Sequence, residues 1–416
     1  MEEELFALKK NETWILTQLP KVSKYKARLV AKGYNQVDVI DFHSSFSPVA
    51  KTQFDVNNAF LHGDIEEDVY MIPPEGYKDA SPNQINKSFV TLLVYVDDIL
   101  IVGNDLDKIN LIKQYLNRKF SIKDLGNAKY FLGLKIHRKK SGIYVNQRKY
   151  ILDIMADTGL TGCKPATVPM IKGVKLNCKS SSTLNEPEKF RRLVGRLIYL
   201  NFTRPDIAFS VQQLSQFMHE PLQIHWEAAL QVVRYLKGTP SLGLFYPSNS
   251  NKLLESFSDA DWATCTDSRR SLTGYCIKYG DALIAWKTKK QNTVSRSSAD
   301  AEYRSMATTV CELKWISFLL KDLQIPVQLP IPLRCDNQAA IHIAENPIFH
   351  ERTKHLDIDC HLVRDQFKQG FVLPQHVYSK VQQTDIFTKP LEHTAFYSLR
   401  DKMNLRDLHL EEGILD

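Results

Sequence analysis

The sequence predicts an α+β protein of two or three domains, and three observations predict it. Two apolar β-type runs meet at adjacent aspartates in Leu92-Leu93-Val94-Tyr95-Val96-Asp97-Asp98-Ile99-Leu100-Ile101-Val102-Gly103. Their flanks are rich in Val, Ile, Leu and Tyr without helical spacing, so the stretch reads as an antiparallel hairpin. Residues 190–238 carry apolar stripes at helical spacing, and from about residue 248 strand and helix signals alternate in the order β-β-α-β-α. A chain of 416 residues is long enough to bury a large core in each of two or three units.

Composition narrows the class. Hydrophobic residues make up 43% and charged residues 24%, ordinary values that exclude wholesale disorder. No apolar run approaches the length of a membrane span, and the start Met1-Glu2-Glu3-Glu4 has no secretory apolar region. The net charge of +7 is concentrated in runs at residues 21–32, 138–140, 191–196 and 287–290. Such runs suit a polyanionic partner and equally suit a solvated face. The seven cysteines form no C-x-x-C pair, which predicts free thiols in a reducing compartment.

In chain order, Tyr25-Lys26-Ala27-Arg28-Leu29-Val30-Ala31-Lys32 alternates basic and apolar residues, as a phosphate-facing strand or a protected edge strand would. Asp55 then sits in a short apolar strand, where a carboxylate needs a partner. At the hairpin, Asp-Asp lacks the glycine that a two-residue turn favours. Taken alone, it is equally a solvated turn and a site for a hard divalent cation. Residues 107–120 have helical spacing, 130–145 read as two strands joined at Lys140-Ser141-Gly142, and 150–160 as a short helix. Three prolines and a serine run mark residues 164–189 as a linker.

Further on, residues 253–257 form a strand leading to Asp259, and 275–279 with 282–286 form a hairpin turning at Gly280-Asp281. A helix follows, capped at Ser298, with Met306, Val310, Leu313 and Leu320 on its buried stripe. Glu302, four residues before Met306, shares that inward face. Residues 333–336 make a strand ending in Asp336, with Asn337 as a helix cap. Residues 371–378 make another strand, and Thr384-Asp385-Ile386 opens a short helix. Arg352-Thr353-Lys354-His355 and His361 suit a helix facing nucleic acid better than a zinc site, since no cysteine pattern accompanies them.

Several of these motifs occur together in one order: Ser47-Pro48-Val49-Ala50-Lys51, Asp55-Val56 with Asn58-Ala59-Phe60-Leu61-His62-Gly63, Tyr95-Val96-Asp97-Asp98, Ser258-Asp259-Ala260-Asp261-Trp262 and Cys335-Asp336-Asn337. The chain resembles the reverse transcriptase and ribonuclease H segment of a Ty1/copia-type retrotransposon polyprotein over nearly its whole length. The resemblance implies a truncated reverse transcriptase palm and fingers with an antiparallel sheet, a helical connection, and a ribonuclease H-like α/β mixed-sheet domain. The implied boundaries are 1–163 for the palm and fingers remnant, 164–189 for the linker, 190–247 for a helical thumb or connection, and 248–416 for the nuclease domain.

For chemistry, the resemblance implies Asp55, Asp97 and Asp98 as polymerase ligands for magnesium or manganese, with Lys26 and Arg28 as contacts to the triphosphate or template. Asp259, Glu302, Asp336 and Asp385 are the implied nuclease carboxylates, with Asp261 as a competitor for Asp259. Converging, they would bind two divalent ions about 4 Å apart. Implied partners are an RNA-DNA hybrid, an RNA template, a DNA primer and deoxynucleoside triphosphates, in the cytoplasm within a virus-like particle or in the nucleus, with no membrane. The chain departs from the family pattern where only Thr52-Gln53-Phe54 separates the Ser-Pro-Val-Ala-Lys motif from Asp55. It departs again at residues 78–91, a short polar run in place of a longer block. A defective polymerase beside a retained nuclease is therefore expected. A non-catalytic nucleic-acid-binding relic is the alternative.

Overall fold

A computed structural model describes residues 89–96, 98–120, 122–174, 176, 181–345 and 357–408. Asp55, Asp97, Lys26 and Arg28 lie outside them. The α+β class expected from the sequence is what the structure shows. The chain divides into two compact units, residues 1–132 and 133–416. Among the described residues no helix is long and apolar enough to cross a membrane.

In the first unit, β1 (Val90–Tyr95) pairs antiparallel with β2 (Asp98–Gly103), and α1 (Leu106–Phe120) follows. The register runs from Val90 opposite Gly103 to Tyr95 opposite Asp98. Asp98 is thus the first residue of β2, one position away from the Asp-Asp turn that the sequence suggests. Val96 takes the left-handed conformation instead, at φ +51°, which β-branched residues disfavour. The hairpin is apolar yet open: Leu93 is 51% and Val94 61% exposed, while Asp98 is buried. A short strand, β3 (Tyr130–Phe131), closes this unit.

The second unit contains two sheets. In one, strands run in the antiparallel order β12-β6-β5-β4: β4 (Leu134–Lys139), β5 (Gly142–Asn146), β6 (Leu242–Pro247) and β12 (Leu405–Asp407). Around it lie α2 (Arg148–Asp157), α3 (Pro187–Leu200), α4 (Ala208–Ser215) and α5 (Gln223–Lys237). The stripes read from the sequence become core, with Leu193, Leu197, Leu200, Val233 and Leu236 all buried. A fully buried ion pair pins these helices. Arg204 holds Asp206 through two hydrogen bonds of 2.9 and 2.7 Å, and the Tyr235 hydroxyl donates to the same carboxylate at 2.6 Å. Burial would raise the Asp206 carboxyl, but the guanidinium and hydroxyl outweigh it and hold the group below its ordinary value.

The other sheet is mixed, with order β11-β10-β7-β8-β9. Its strands are β7 (Leu254–Asp261), β8 (Leu272–Tyr279), β9 (Ala282–Lys290), β10 (Ile331–Cys335) and β11 (Val372–His376). The pairs β7-β8 and β8-β9 are antiparallel, while β10 lies parallel to β7 and β11. This is the mixed α/β sheet expected for the last segment. Successive residues of a strand face opposite sides, so the sheet serves two cores. Leu254, Tyr275 and Ile277 pack beneath α6 (Ser298–Asp322), α7 (Gln338–Glu345) and α8 (Asp357–Lys368). Phe257, Cys276 and Leu283 pack with helices α2 to α5, α9 (Asp385–Thr388) and α10 (His393–Lys402). Helix α6 is capped by Ser297, whose side chain accepts from the Asp300 amide, one residue before the cap that the sequence suggests.

Candidate active site

Two strand ends and two helix starts converge at one end of the mixed sheet. Asp259 lies near the end of β7 and is buried, with its backbone oxygen accepting a hydrogen bond from Ser305 of α6 at 2.9 Å. Its cross-strand partner is Gly274 of β8. A side chain at Gly274 would collide with Thr388 at 2.5 Å and Phe387 at 3.0 Å. The glycine therefore lets α9 lie directly on the sheet, which brings Thr388 and Lys389 to Asp259. The Thr388 hydroxyl donates to one Asp259 oxygen in a very short hydrogen bond. Lys389 Nζ lies 3.5 Å from the other oxygen and 2.7 Å from Asp385.

On the other side of Asp259, Glu302 enters from the first turn of α6 and is buried. Ligand atoms of Glu302, Cys335 and Asp336 all lie within 4.8 Å of one another, with Cys335 Sγ 3.7 Å from Glu302 Oε2. Asp336 follows the last residue of β10 and accepts from the Ser379 hydroxyl at 2.7 Å. Asn337 caps α7 through its side-chain oxygen, which accepts from the Ala340 amide at 3.0 Å, as its position predicts.

Electrostatics mark the cluster as unbalanced. Burial raises the Asp259 carboxyl and Asp385 adds to the effect, while Lys389 opposes both. Burial also raises Glu302, and the charges of Asp259 and Asp336 push it further. Asp261, on the same strand face as Asp259, is raised to about 6, chiefly by burial and against the pull of Lys389. At an effective dielectric of 20, each carboxylate pair near 4 Å costs about 4 kcal/mol, so one lysine leaves the site short of positive charge. With a chelator present, the Glu302 penalty on folding is absent below about pH 4.5 and grows as pH rises towards its raised value. Glu302→Gln is therefore expected to flatten the loss of stability between about pH 5 and about pH 8, read by urea unfolding. An unchanged slope contradicts this cause.

Of the residues singled out in the sequence, Asp259, Glu302, Asp336 and Asp385 share this site, with Asp261 at its margin. Asp98 lies in the first unit, in the β1-β2 hairpin. Asp55, Asp97, Lys26 and Arg28 fall outside the described residues. Lys389, Thr388 and Ser379 were not singled out, and Cys335 only as part of the Cys335-Asp336-Asn337 motif. Only Lys389 carried a usable signal, the i,i+4 spacing from Asp385. A concavity of about 410 Å³, lined by Ser317, Lys321, Ile325 and Leu329, lies at the far end of α6 from Glu302.

The reverse transcriptase (RNA-dependent DNA polymerase) family matches residues 83–172. The Pol polyprotein of transposon RE1 from Arabidopsis thaliana is 39% identical over 94% of the chain and 31% of its own length. That of transposon TNT 1-94 from Nicotiana tabacum is 32% identical over 95% of the chain and 37% of its own. A transposon Ty5-1 protein of Saccharomyces cerevisiae is 33% identical over 54% of the chain and 74% of its own length. The chain belongs to the copia-type retrotransposon Pol family. It spans about a third of the length of the RE1 and TNT 1-94 polyproteins. The RE1 alignment runs over 459 positions, more than the 416 residues of the chain, so RE1 has residues with no counterpart here. Among solved structures, a ribonuclease H1 isolated from compost is 11% identical over 33% of this Pol chain and 93% of its own, at a TM-score of 0.27.

Proposed function

We propose that this Pol segment hydrolyses the RNA strand of an RNA-DNA hybrid at the Asp259, Glu302, Asp336 and Asp385 site, while its reverse transcriptase segment no longer polymerises. The observation that carries the nuclease reading is the convergence of four carboxylates, drawn from β7, α6, the end of β10 and α9, of which Asp259 and Asp385 share the ammonium of Lys389. Buried acids such as Asp259 and Glu302, whose protons are held by burial and by neighbouring charge, are a poor structural element and a good cation site. The donors are hard oxygens in excess of nearby positive charge, a set that fits magnesium or manganese held by these four residues. When bound, a pair of such ions supplies a nucleophilic hydroxide and stabilises the leaving oxygen of the phosphodiester.

The protein's own groups prepare that chemistry. Thr388 fixes one Asp259 oxygen and Ser379 fixes one Asp336 oxygen, which limits the orientations each carboxylate can take. Lys389 opposes the effect of burial at Asp259 and Asp385, drawing both carboxyls back towards their ionised form. Hybrid recognition rests on phosphate charge, groove shape and the 2′-hydroxyl, with no need to read base sequence. In this reading residues 190–247 act as thumb or connection, and deoxynucleoside triphosphates, primer and template are inherited partners of the first segment.

Three observations support a lost polymerase. Only three residues separate the Ser47-Pro48-Val49-Ala50-Lys51 motif from Asp55. RE1 has aligned residues that this chain lacks. The apolar hairpin at Asp98 leaves Leu93 and Val94 open, as a palm without its covering helices would. The test runs primer extension and hybrid cleavage on one purified protein, with cleavage and no extension expected. Robust extension that Asp98→Asn abolishes would overturn the polymerase half of the reading.

A further inference from the structure

The carboxylate site has two unequal halves. Asp259 and Asp385 share the Lys389 ammonium, at 3.5 and 2.7 Å. Glu302 and Asp336 lie together with Cys335 on the other side, and among the described residues no lysine or arginine nitrogen comes within ion-pair distance of either. Lys389 belongs to the segment that Gly274 admits onto the sheet, so its ammonium is delivered by the same packing that delivers Asp385. The lysine side chain is 35% exposed, which leaves it room to withdraw towards solvent on its flexible stem.

From this arrangement we infer that Lys389 is a built-in counter-cation, occupying the Asp259-Asp385 half of the site until a divalent ion displaces it. The inference rests on the four-carboxylate metal site proposed above. Two consequences follow from charge alone. The first divalent ion enters at Glu302 and Asp336, where among the described residues no ammonium lies within ion-pair distance. The second ion binds more weakly, because it must displace a cation already held by two carboxylates. Lys389 thereby sets the metal concentration at which the site fills, and holds its carboxylates in place while it is empty. Its role is one of positioning and competition; no bond to substrate is made or broken by it.

The test is manganese binding by the full chain, followed by electron paramagnetic resonance of the free ion, for the wild type, Lys389→Met, Lys389→Gln and Asp336→Asn. Wild type is expected to bind in two steps, of which Lys389→Met or Lys389→Gln tightens the weaker by at least about tenfold. Asp336→Asn is expected to weaken the tighter step. Without metal, the melting temperature of Lys389→Met should fall, and saturating manganese should restore it. A merely structural lysine would lower the melting temperature without tightening metal binding. Identical isotherms for wild type and both lysine variants overturn the inference and leave the metal site standing. Absence of manganese binding in all four proteins overturns the metal site and this inference together. The Gln variant keeps a polar group beside Asp385, so the comparison survives if the Met variant does not fold.

Discussion

Asp259→Asn is expected to lower hydrolysis of the RNA strand in a hybrid by roughly three orders of magnitude or more, as loss of a central group in a metal-assisted site does. Asp259 belongs to the Lys389 half of the site, touching Thr388 and Lys389, and its charge acts on Glu302 of the other half. Asparagine keeps the shape and can still meet the threonine hydroxyl, so the backbone of β7 has no reason to move. The same change removes one of several crowded negative charges. Metal-free stability is therefore expected to hold or rise while activity collapses, the usual opposition between a functional site and the fold that carries it. Calorimetric melting with chelator, alongside cleavage of a labelled hybrid, checks both parts. A variant that loses activity only because it unfolds would contradict the assignment.

The largest expected effect on stability lies elsewhere, at the Arg204-Asp206 pair. Both side chains are fully buried, and Arg204 also donates to the Thr239 carbonyl and hydroxyl, each at 2.8 Å. Asp206→Ala would strand the guanidinium and deprive the Tyr235 hydroxyl of its acceptor. Removing one partner of a buried pair costs about 3–5 kcal/mol, because the remaining charge stays uncompensated. Replacing both residues with apolar ones of similar volume should cost far less. Since the folded state holds Asp206 below its ordinary value, the pair stabilises above about pH 3.8 and is lost as pH falls through the depressed value. Urea unfolding of the single and double variants at neutral pH measures the difference. Equal losses in the two would contradict the account.

Much of this architecture is legible in the sequence, for physical reasons that also explain the misses. Met306, Val310, Leu313 and Leu320 recur at helical spacing and do line the buried face of α6, which fixes Glu302 towards the sheet. The hairpin at β1 and β2 is written in its apolar runs. Its turn is displaced because Val96 accepts a left-handed conformation that no local preference recommends. Ser297 rather than Ser298 caps α6, a choice between identical neighbours that backbone geometry alone decides. Asp259, Glu302, Asp336 and Asp385 stand at element ends, where a carboxylate is conspicuous. Lys389 and Thr388 are not conspicuous. Their place in the site depends on a four-residue helix lying flat on the sheet, and that depends on the space left by one glycine, Gly274, more than a hundred residues earlier in the chain.

The central claim is that this Pol segment cuts RNA paired with DNA through its carboxylate cluster. Its most direct test is incubation of the purified full chain with an end-labelled RNA strand annealed to DNA, with magnesium or manganese and again with chelator. The account predicts metal-dependent fragments from the RNA of the hybrid, none from its DNA strand, and none when Asp259→Asn replaces the wild type. An intact hybrid under conditions where the wild-type chain is folded and has manganese bound would contradict it.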